Sequence, residues 1–384
     1  MKKKLWLLVA LVLVAFFGWR FVRPMNIFVV EDRFALPMKM ESPEGIDSLN
    51  ASYCGSCHQA IYEEWSQSMH AKAWTDPYYQ TDLEFDGNQQ ICLNCHIPLE
   101  NQQKDLVMGF RDSERFDPIL KPNPNFDVTL QQEGVTCAVC HIRDGVIIGP
   151  TGSELAPHPV KVDPEMGSGV KSCQQCHLVS NDRWDVFYKI PPCGTVAEIK
   201  KGGEQIDCVG CHLPKTQRPL VEGFAARSSG KHLFQGGHHP PTVKDSLKVE
   251  LAQENNKGGK LITATLTNIK AAHALPTGTP DRHLTLRMRL VDRQGKQGPE
   301  ESWKMARLIM WRPFIVDLKD TRLLYNQSRS FKFEVAQKEL EQYDHVEVLV
   351  TYHLLDEARR KRIGYQNKEP IFYPIFEKTI PLQK

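Results

Sequence analysis

The sequence predicts an α+β chain: a loop-rich, partly helical domain built around cysteine motifs, then an antiparallel β-sandwich, all behind an N-terminal signal anchor. Three observations predict it. The pattern Cys-x-x-Cys-His occurs five times between Cys54 and His212, in a stretch punctuated by proline and glycine. From about Val243 the cysteines stop and apolar residues alternate with polar ones at a period of two. Ahead of both, Leu5 to Trp19 is an unbroken apolar run after a basic start, Met1 to Lys4. The 384 residues thus divide into a signal anchor or signal peptide over 1–23, a tether over 24–50, the motif domain over 51–242, the sandwich over 243–355 and a tail over 356–384.

The apolar run reads as an export signal, and with Phe21 and Val22 beyond Arg20 it is just long enough to cross a bilayer. No small-x-small cleavage pattern follows it, which favours a retained anchor over a cleaved peptide. Three lysines before the run keep the N-terminus cytoplasmic and place the rest on the periplasmic side of the inner membrane, or free in the periplasm or outside the cell if the anchor is cut. Pro24, Pro37, Pro43 and Gly45 suit a tether with little structure of its own.

The motifs are Cys54-Gly-Ser-Cys57-His58, Cys92-Leu-Asn-Cys95-His96, Cys137-Ala-Val-Cys140-His141, Cys173-Gln-Gln-Cys176-His177 and Cys208-Val-Gly-Cys211-His212. Chemistry sets this spacing: two thiols three apart on one turn can each add to a haem vinyl group, and the next imidazole falls under the iron as proximal ligand. One copy could equally be a zinc half-site or a redox dithiol. Five copies behind an export signal point to five covalently bound c-type haems, whose large flat faces replace side chains as the core. Ten of the 11 cysteines are consumed this way, leaving only Cys193. The formal charge of +2 becomes roughly −3 once five ferric haems with ionised propionates are added, and nothing suggests a nucleic-acid partner.

Candidate distal ligands follow from the remaining histidines. His70 ends a helix-like segment, Ile61 to His70; on a continuous helix it would lie about 18 Å from His58, so one iron cannot take both and His70 caps a neighbouring haem. A surface histidine at a helix end is the alternative. His158 is rigidified between Pro157 and Pro159, which suits a ligand. Among His232, His238 and His239 one or two are expected to bind iron, the first two ahead of the third. His273, in Ala272-His273-Ala274-Leu275-Pro276-Thr277-Gly278, is placed to leave the sheet and reach back to a haem, the alternative being a buried structural histidine.

The sandwich rests on alternation at Leu247, Val249 and Leu251, at Leu284, Leu286, Met288 and Leu290, at Phe331, Phe333 and Val335, and at Val346, Val348, Val350 and Tyr352. Turn signals at Asn255 to Gly259 and Asp292 to Gly295 separate strands. It has no nucleotide-binding or nucleophile motif, so it reads as a cap and docking face for the haem region. The last thirty residues, with Arg359-Arg360-Lys361-Arg362 and then Pro370 to Pro381, read as a solvated charged stretch and an extended tail.

Cys54 to His58 followed by Glu64-Trp65 and Ser68-Met69-His70-Ala71 resembles the opening of multihaem cytochromes c related to the tetrahaem cytochrome of ammonia oxidisers and to hydroxylamine oxidoreductase. His232-Leu-Phe-Gln-Gly-Gly-His238 and His273-Ala-Leu-Pro-Thr-Gly278 are similar to motifs of pentahaem members with a C-terminal β-domain. The lone cysteine resembles, more loosely, the multihaem (seleno)cytochromes called ExtKL of metal-reducing bacteria. The resemblance implies electron transfer in anaerobic respiration, with His70, His158, His232, His238 and His273 as the five distal ligands.

Cys193, in Ile190-Pro191-Pro192-Cys193-Gly194-Thr195, divides the functional readings. It is either an inert small residue or a thiolate at or beside one haem, as axial ligand or redox-active group. In the favoured reading all five haems are six-coordinate and electrons pass from a membrane quinol-oxidising donor to a periplasmic or extracellular acceptor. In the other, one open or Cys193-associated haem acts on a small nitrogen or sulfur species, making the protein a haem-dependent oxidoreductase. The sandwich as a partner-binding domain fits either.

Overall fold

The computed structural model describes residues 2–22, 32–113, 115–152, 156–177, 195–205, 207–310, 313 and 316–382. Lys2–Val22 is one helix of 21 residues, long and apolar enough to cross a membrane, which suggests a signal or an anchor. The chain falls into two compact units, Met1–Pro191 with Ile206–Phe234 and Ile309–Asp317, and Pro192–Gln205 with Gln235–Leu308 and Leu318–Lys384.

The first unit is short helices joined by loops and small hairpins. Asp105–Phe110 pairs antiparallel with Pro118–Pro122, and Lys215–Arg218 with Arg227–Gly230. Its apolar clusters are small: Leu49, Leu99, Leu130, Ala138, Val139 and Ile142 form one. The segment expected as an unstructured tether departs from expectation. Phe34 and Ala35, in the turn of helix Asp32–Ala35, are buried against Ile91, Cys95, Phe110 and Phe116, and Asn94 donates to Phe34 O at 2.7 Å. Its few apolar side chains, spaced between prolines, have enough surface to bury to hold the backbone down.

The second unit is a sandwich. Its strands are β1 (Leu247–Asn256), β2 (Gly259–Asn268), β3 (His283–Val291), β4 (Gln297–Met305), β5 (Ser328–Ala336), β6 (His345–His353) and β7 (Phe372–Pro381). One antiparallel sheet has the order β4-β3-β6-β7, the other β5-β2-β1. Ile262, Ala264 and Leu266 of β2 meet Leu284, Leu286, Met288 and Leu290 of β3 and Val346, Val348 and Val350 of β6 in one core, all fully buried. Each such side chain contributes about 1.5–3 kcal/mol of burial. Gly259 must be glycine where β2 starts, since a Cβ there would lie 1.9 Å from Val335 O.

Two parts of this unit were not drawn from the sequence. Phe372–Pro381, expected as an extended tail, is an edge strand paired with β6, preceded by the helix Glu357–Ile363. Its prolines hide it: Pro374 sits at the register shift opposite Val350 and Thr351, and proline is tolerated at edges and bulges. The helix Thr195–Gly202, expected within the motif domain, groups with the sandwich, where Glu198 pairs with Arg322.

On the four-stranded sheet, His283 and His353 are directly opposed and their rings stack at 4.1 Å. His283 Nδ1 donates to Asp281 O at 2.8 Å, and His353 Nε2 pairs with Thr285 Oγ1 at 3.0 Å. Burial, then His283 and Lys304, push the His353 pKa from 6.5 down to about 4, and burial lowers that of His283 too. The folded sheet therefore resists protonation that the unfolded chain accepts. This contribution is complete above about pH 6.5 and is lost as pH falls towards 4; allowing for partial exposure it is about 1–2 kcal/mol for His353. Amide protection factors across Leu284 to Leu290, corrected for the intrinsic exchange rate at each pH, should fall over that range, and His353→Gln should flatten the dependence.

Candidate haem centres

Each motif occupies one helical turn. Four end short helices, Gln90–His96, Cys137–His141, Val170–His177 and Cys208–His212, while the first begins in the last residues of Ala51–Gly55, with His58 N donating to Cys54 O at 2.9 Å. At 3.6 residues per turn this puts both sulfurs of a motif on one side, with the histidine beside them. Asp207 caps the last of these helices by accepting from Gly210 N at 2.8 Å. Motifs far apart in sequence meet: Cys54 lies beside Cys137, and Cys173 beside Cys208.

Three motif histidines each face a second histidine. The ring centroids are 6.4 Å apart for His58 and His158, 6.2 Å for His177 and His70, and 6.1 Å for His141 and His232. Two imidazoles bound to opposite faces of one iron, with bonds of about 2 Å and ring centres roughly 1 Å behind each nitrogen, stand about 6 Å apart. The chain thus fits haem at these places, each with one motif histidine and one distant partner.

The outer nitrogens hold the rings in place. His58 Nδ1 donates to Leu220 O at 3.0 Å, His96 to Ala73 O at 2.7 Å, His141 to Ile148 O at 3.0 Å, His232 to Gly230 O at 3.0 Å and His273 to Ala274 O at 2.9 Å. With Nδ1 carrying the proton, Nε2 presents its lone pair to a metal, and the carbonyl fixes ring orientation. His158 differs, its buried Nδ1 having no partner among the described residues. Burial, reinforced by His177, His212 and His96, lowers the His70 pKa to about 3, and burial with His141 lowers that of His232 to about 4. Burial likewise lowers those of His96 and His141. These rings are neutral, as iron ligands must be.

His70 is not on a continuous helix with His58. The helix Gln59–Ser66 ends four residues before it, and turns carry the chain on. His70 O accepts from Val135 N at 2.9 Å, while Trp65 Nε1 donates to Val135 O at 2.9 Å. Gly134, at φ +61°, makes this approach possible, because a Cβ there would be 2.7 Å from His70 O. Neither Gly134 nor Tyr79 was singled out from sequence. The Tyr79 ring stacks on His96 at 3.6 Å and 2°, and its hydroxyl is buried without a partner among the described residues. Only the aromatic pair Tyr78-Tyr79 near the second motif hinted at this.

The other candidates lie in the second unit. His239 caps the helix Pro240–Ser246: its Nδ1 accepts from Thr242 N at 3.3 Å and lies 2.8 Å from Thr242 Oγ1, while its Nε2 lies 3.3 Å from Gln235 Nε2. Both its nitrogens are engaged. His238 Nε2 accepts from Arg282 Nη2 at 3.3 Å. His273 sits on a loop held by Glu198, whose carboxylate accepts from Ala274 N at 3.2 Å and Thr277 Oγ1 at 2.5 Å. Cys193 lies outside the described residues.

Residues 53–116 match the family model of cytochrome c554 and c-prime, a span that includes the first two motifs. No curated protein matches the chain in sequence. Among solved structures, a penta-heme cytochrome c552 from Thermochromatium tepidum matches with a TM-score of 0.64 and 20% identity, covering 86% of this chain and 98% of that one. A beta-glucosidase 3B from Thermotoga neapolitana, in complex with glycerol, matches at a TM-score of 0.17 and 9% identity over 36% of this chain and 16% of that one, too low to bear on the fold. Five Cys-x-x-Cys-His turns, the family match at the first two and a fold shared with a penta-heme protein together support a multihaem c-type cytochrome with covalently bound haem.

Proposed function

We propose that this chain is a five-haem electron conduit in which every iron is six-coordinate. What supports this most directly is the facing of three motif histidines by three distant ones at the spacing of a shared iron: His58 with His158, His177 with His70 and His141 with His232. The motif histidines His96 and His212 remain, and His238 and His273 are the candidate ligands left over by count. Bound haem supplies one-electron chemistry at a potential set by its ligands and surroundings. The chain's part is to hold each pair of imidazoles, keep them neutral and fix their planes through backbone carbonyls.

In this reading the helix Lys2–Val22 anchors the protein at the periplasmic face of the inner membrane. Electrons come from a membrane quinol-oxidising donor and leave for a periplasmic or extracellular acceptor in anaerobic respiration, within the multihaem group related to hydroxylamine oxidoreductase. A second reading is favoured by one contact. His238 Nε2, the nitrogen a ligand would use, is already engaged by Arg282. One haem would then lack a histidine on its far side and could act on a small nitrogen or sulfur species.

Electron paramagnetic resonance of the ferric protein, with haem quantified and with nitrite, sulfite or cyanide added, separates the two. Five low-spin haems indifferent to the additions are the expected result. A signal from one haem that shifts on addition would replace the conduit with the oxidoreductase.

A further inference from the structure

We propose that Glu64 and Arg218 form a charged clamp that sets the position and donor strength of His232, and through it the potential of the haem shared with His141. The inference rests on reading His141 and His232 as the two ligands of one iron.

Glu64 lies on the helix Gln59–Ser66, just after the first motif, and Arg218 on the strand Lys215–Arg218, just after the fifth. Arg218 meets Glu64 through both arms of its fork, Nη1 to Oε1 at 2.7 Å and Nη2 to Oε2 at 2.8 Å. Their side chains are only 13% and 18% exposed. Both charges then bear on one histidine. Glu64 Oε2 accepts from His232 N at 2.8 Å. Arg218 Nη2 donates to Gly230 O at 2.8 Å, the same carbonyl that accepts from His232 Nδ1 at 3.0 Å. Arg218 Nε donates to Ser229 Oγ at 2.9 Å, so the whole guanidinium is fixed. A buried ion pair adds little stability over an apolar substitute, yet its field acts strongly on groups a few ångströms away.

The sign of the effect follows from the shared carbonyl. A guanidinium that draws on Gly230 O weakens its hold on the His232 Nδ1 proton. The imidazole is then a poorer donor at Nε2, which favours ferrous over ferric iron and raises the potential. Glu64 opposes this by compensating the Arg218 charge. Arg218→Gln, which removes the pull and leaves Glu64 uncompensated, lowers the potential. Glu64→Gln, which leaves Arg218 uncompensated, raises it.

The test is a spectroscopically resolved redox titration of the intact holoprotein. Opposite shifts of one haem in the two single variants are expected, with Glu64→Gln/Arg218→Gln close to the parent because the two changes cancel. Shifts of the same sign, no shift, or a shift spread over several haems would overturn the clamp. If Arg218→Gln does not take up its haems, the sign of Glu64→Gln and a near-parent potential in Arg218→Lys decide the matter. His232→Ala separates the two levels of inference. If it leaves every haem low-spin, the ligand reading fails; if it opens one haem while the clamp variants are silent, only the clamp fails.

Discussion

Replacing His70 by alanine should convert one haem of the five from low-spin to high-spin and leave the other four unchanged. His70 faces His177 at 6.2 Å, and burial keeps it neutral, with a pKa of about 3. In the proposed pairing its removal strips the far face of the iron held by the fourth motif, without touching that motif's thioethers or its proximal ligand. The backbone should stay in place, because the Val135 to His70 bond and the Trp65 indole use no part of the lost ring. The ferrous variant should then bind carbon monoxide at one haem per molecule, counted against total haem. Spectra identical to the parent would remove His70 from the ligand set. Gly134→Ala offers an independent approach, since its new Cβ meets His70 O at 2.7 Å and must push that segment away. A partial appearance of the same high-spin signal is its expected outcome.

The second large effect is on stability. Arg322→Ala should destabilise the sandwich unit by about 3–5 kcal/mol, the usual cost of breaking a buried pair from one side. Arg322 donates to Glu198 Oε1 at 2.6 Å, to both oxygens of Asp320 at 3.0 and 2.8 Å, and to Pro276 O at 3.1 Å. With the Arg322 and Glu198 side chains only 5% and 9% exposed, water cannot replace what is removed. Glu198 would be left as a buried anion held only by Ala274 N and Thr277 Oγ1. Denaturant unfolding measures the loss, and the double variant Glu198→Leu/Arg322→Leu should recover much of it, because no lone charge stays inside. A loss within about 0.5 kcal/mol of zero would mean that water reaches the pair. The same network holds the loop that carries His273, so this variant should also broaden the spectrum of any haem that His273 serves.

What could be read directly from the chain was whatever local geometry dictates. Five repeats of two cysteines and a histidine on one turn, behind an export signal, point to covalent haem attachment with no help from distant residues, and all five motifs form such turns. Period-two alternation marks a strand with one buried face, and Leu284 to Leu290 and Val346 to Tyr352 are buried as their alternation implies. Alternation is weaker in Gly259–Asn268, where threonines line the outer face and Ala264 occupies the core, and it is broken by prolines in Phe372–Pro381.

Which histidine faces which emerges from long-range packing alone. His58 with His158, His70 with His177 and His141 with His232 are separated by roughly ninety to a hundred and ten residues, and nothing local records that they meet. Closing such loops depends on the packing of the whole unit, down to a glycine at position 134 and a Glu64–Arg218 pair drawn from opposite ends of the motif region. The cofactor is legible in local spacing, since covalent attachment is a matter of neighbouring bonds. Its ligand pairing, and with it the environment that tunes each iron, is a matter of distant surfaces brought together.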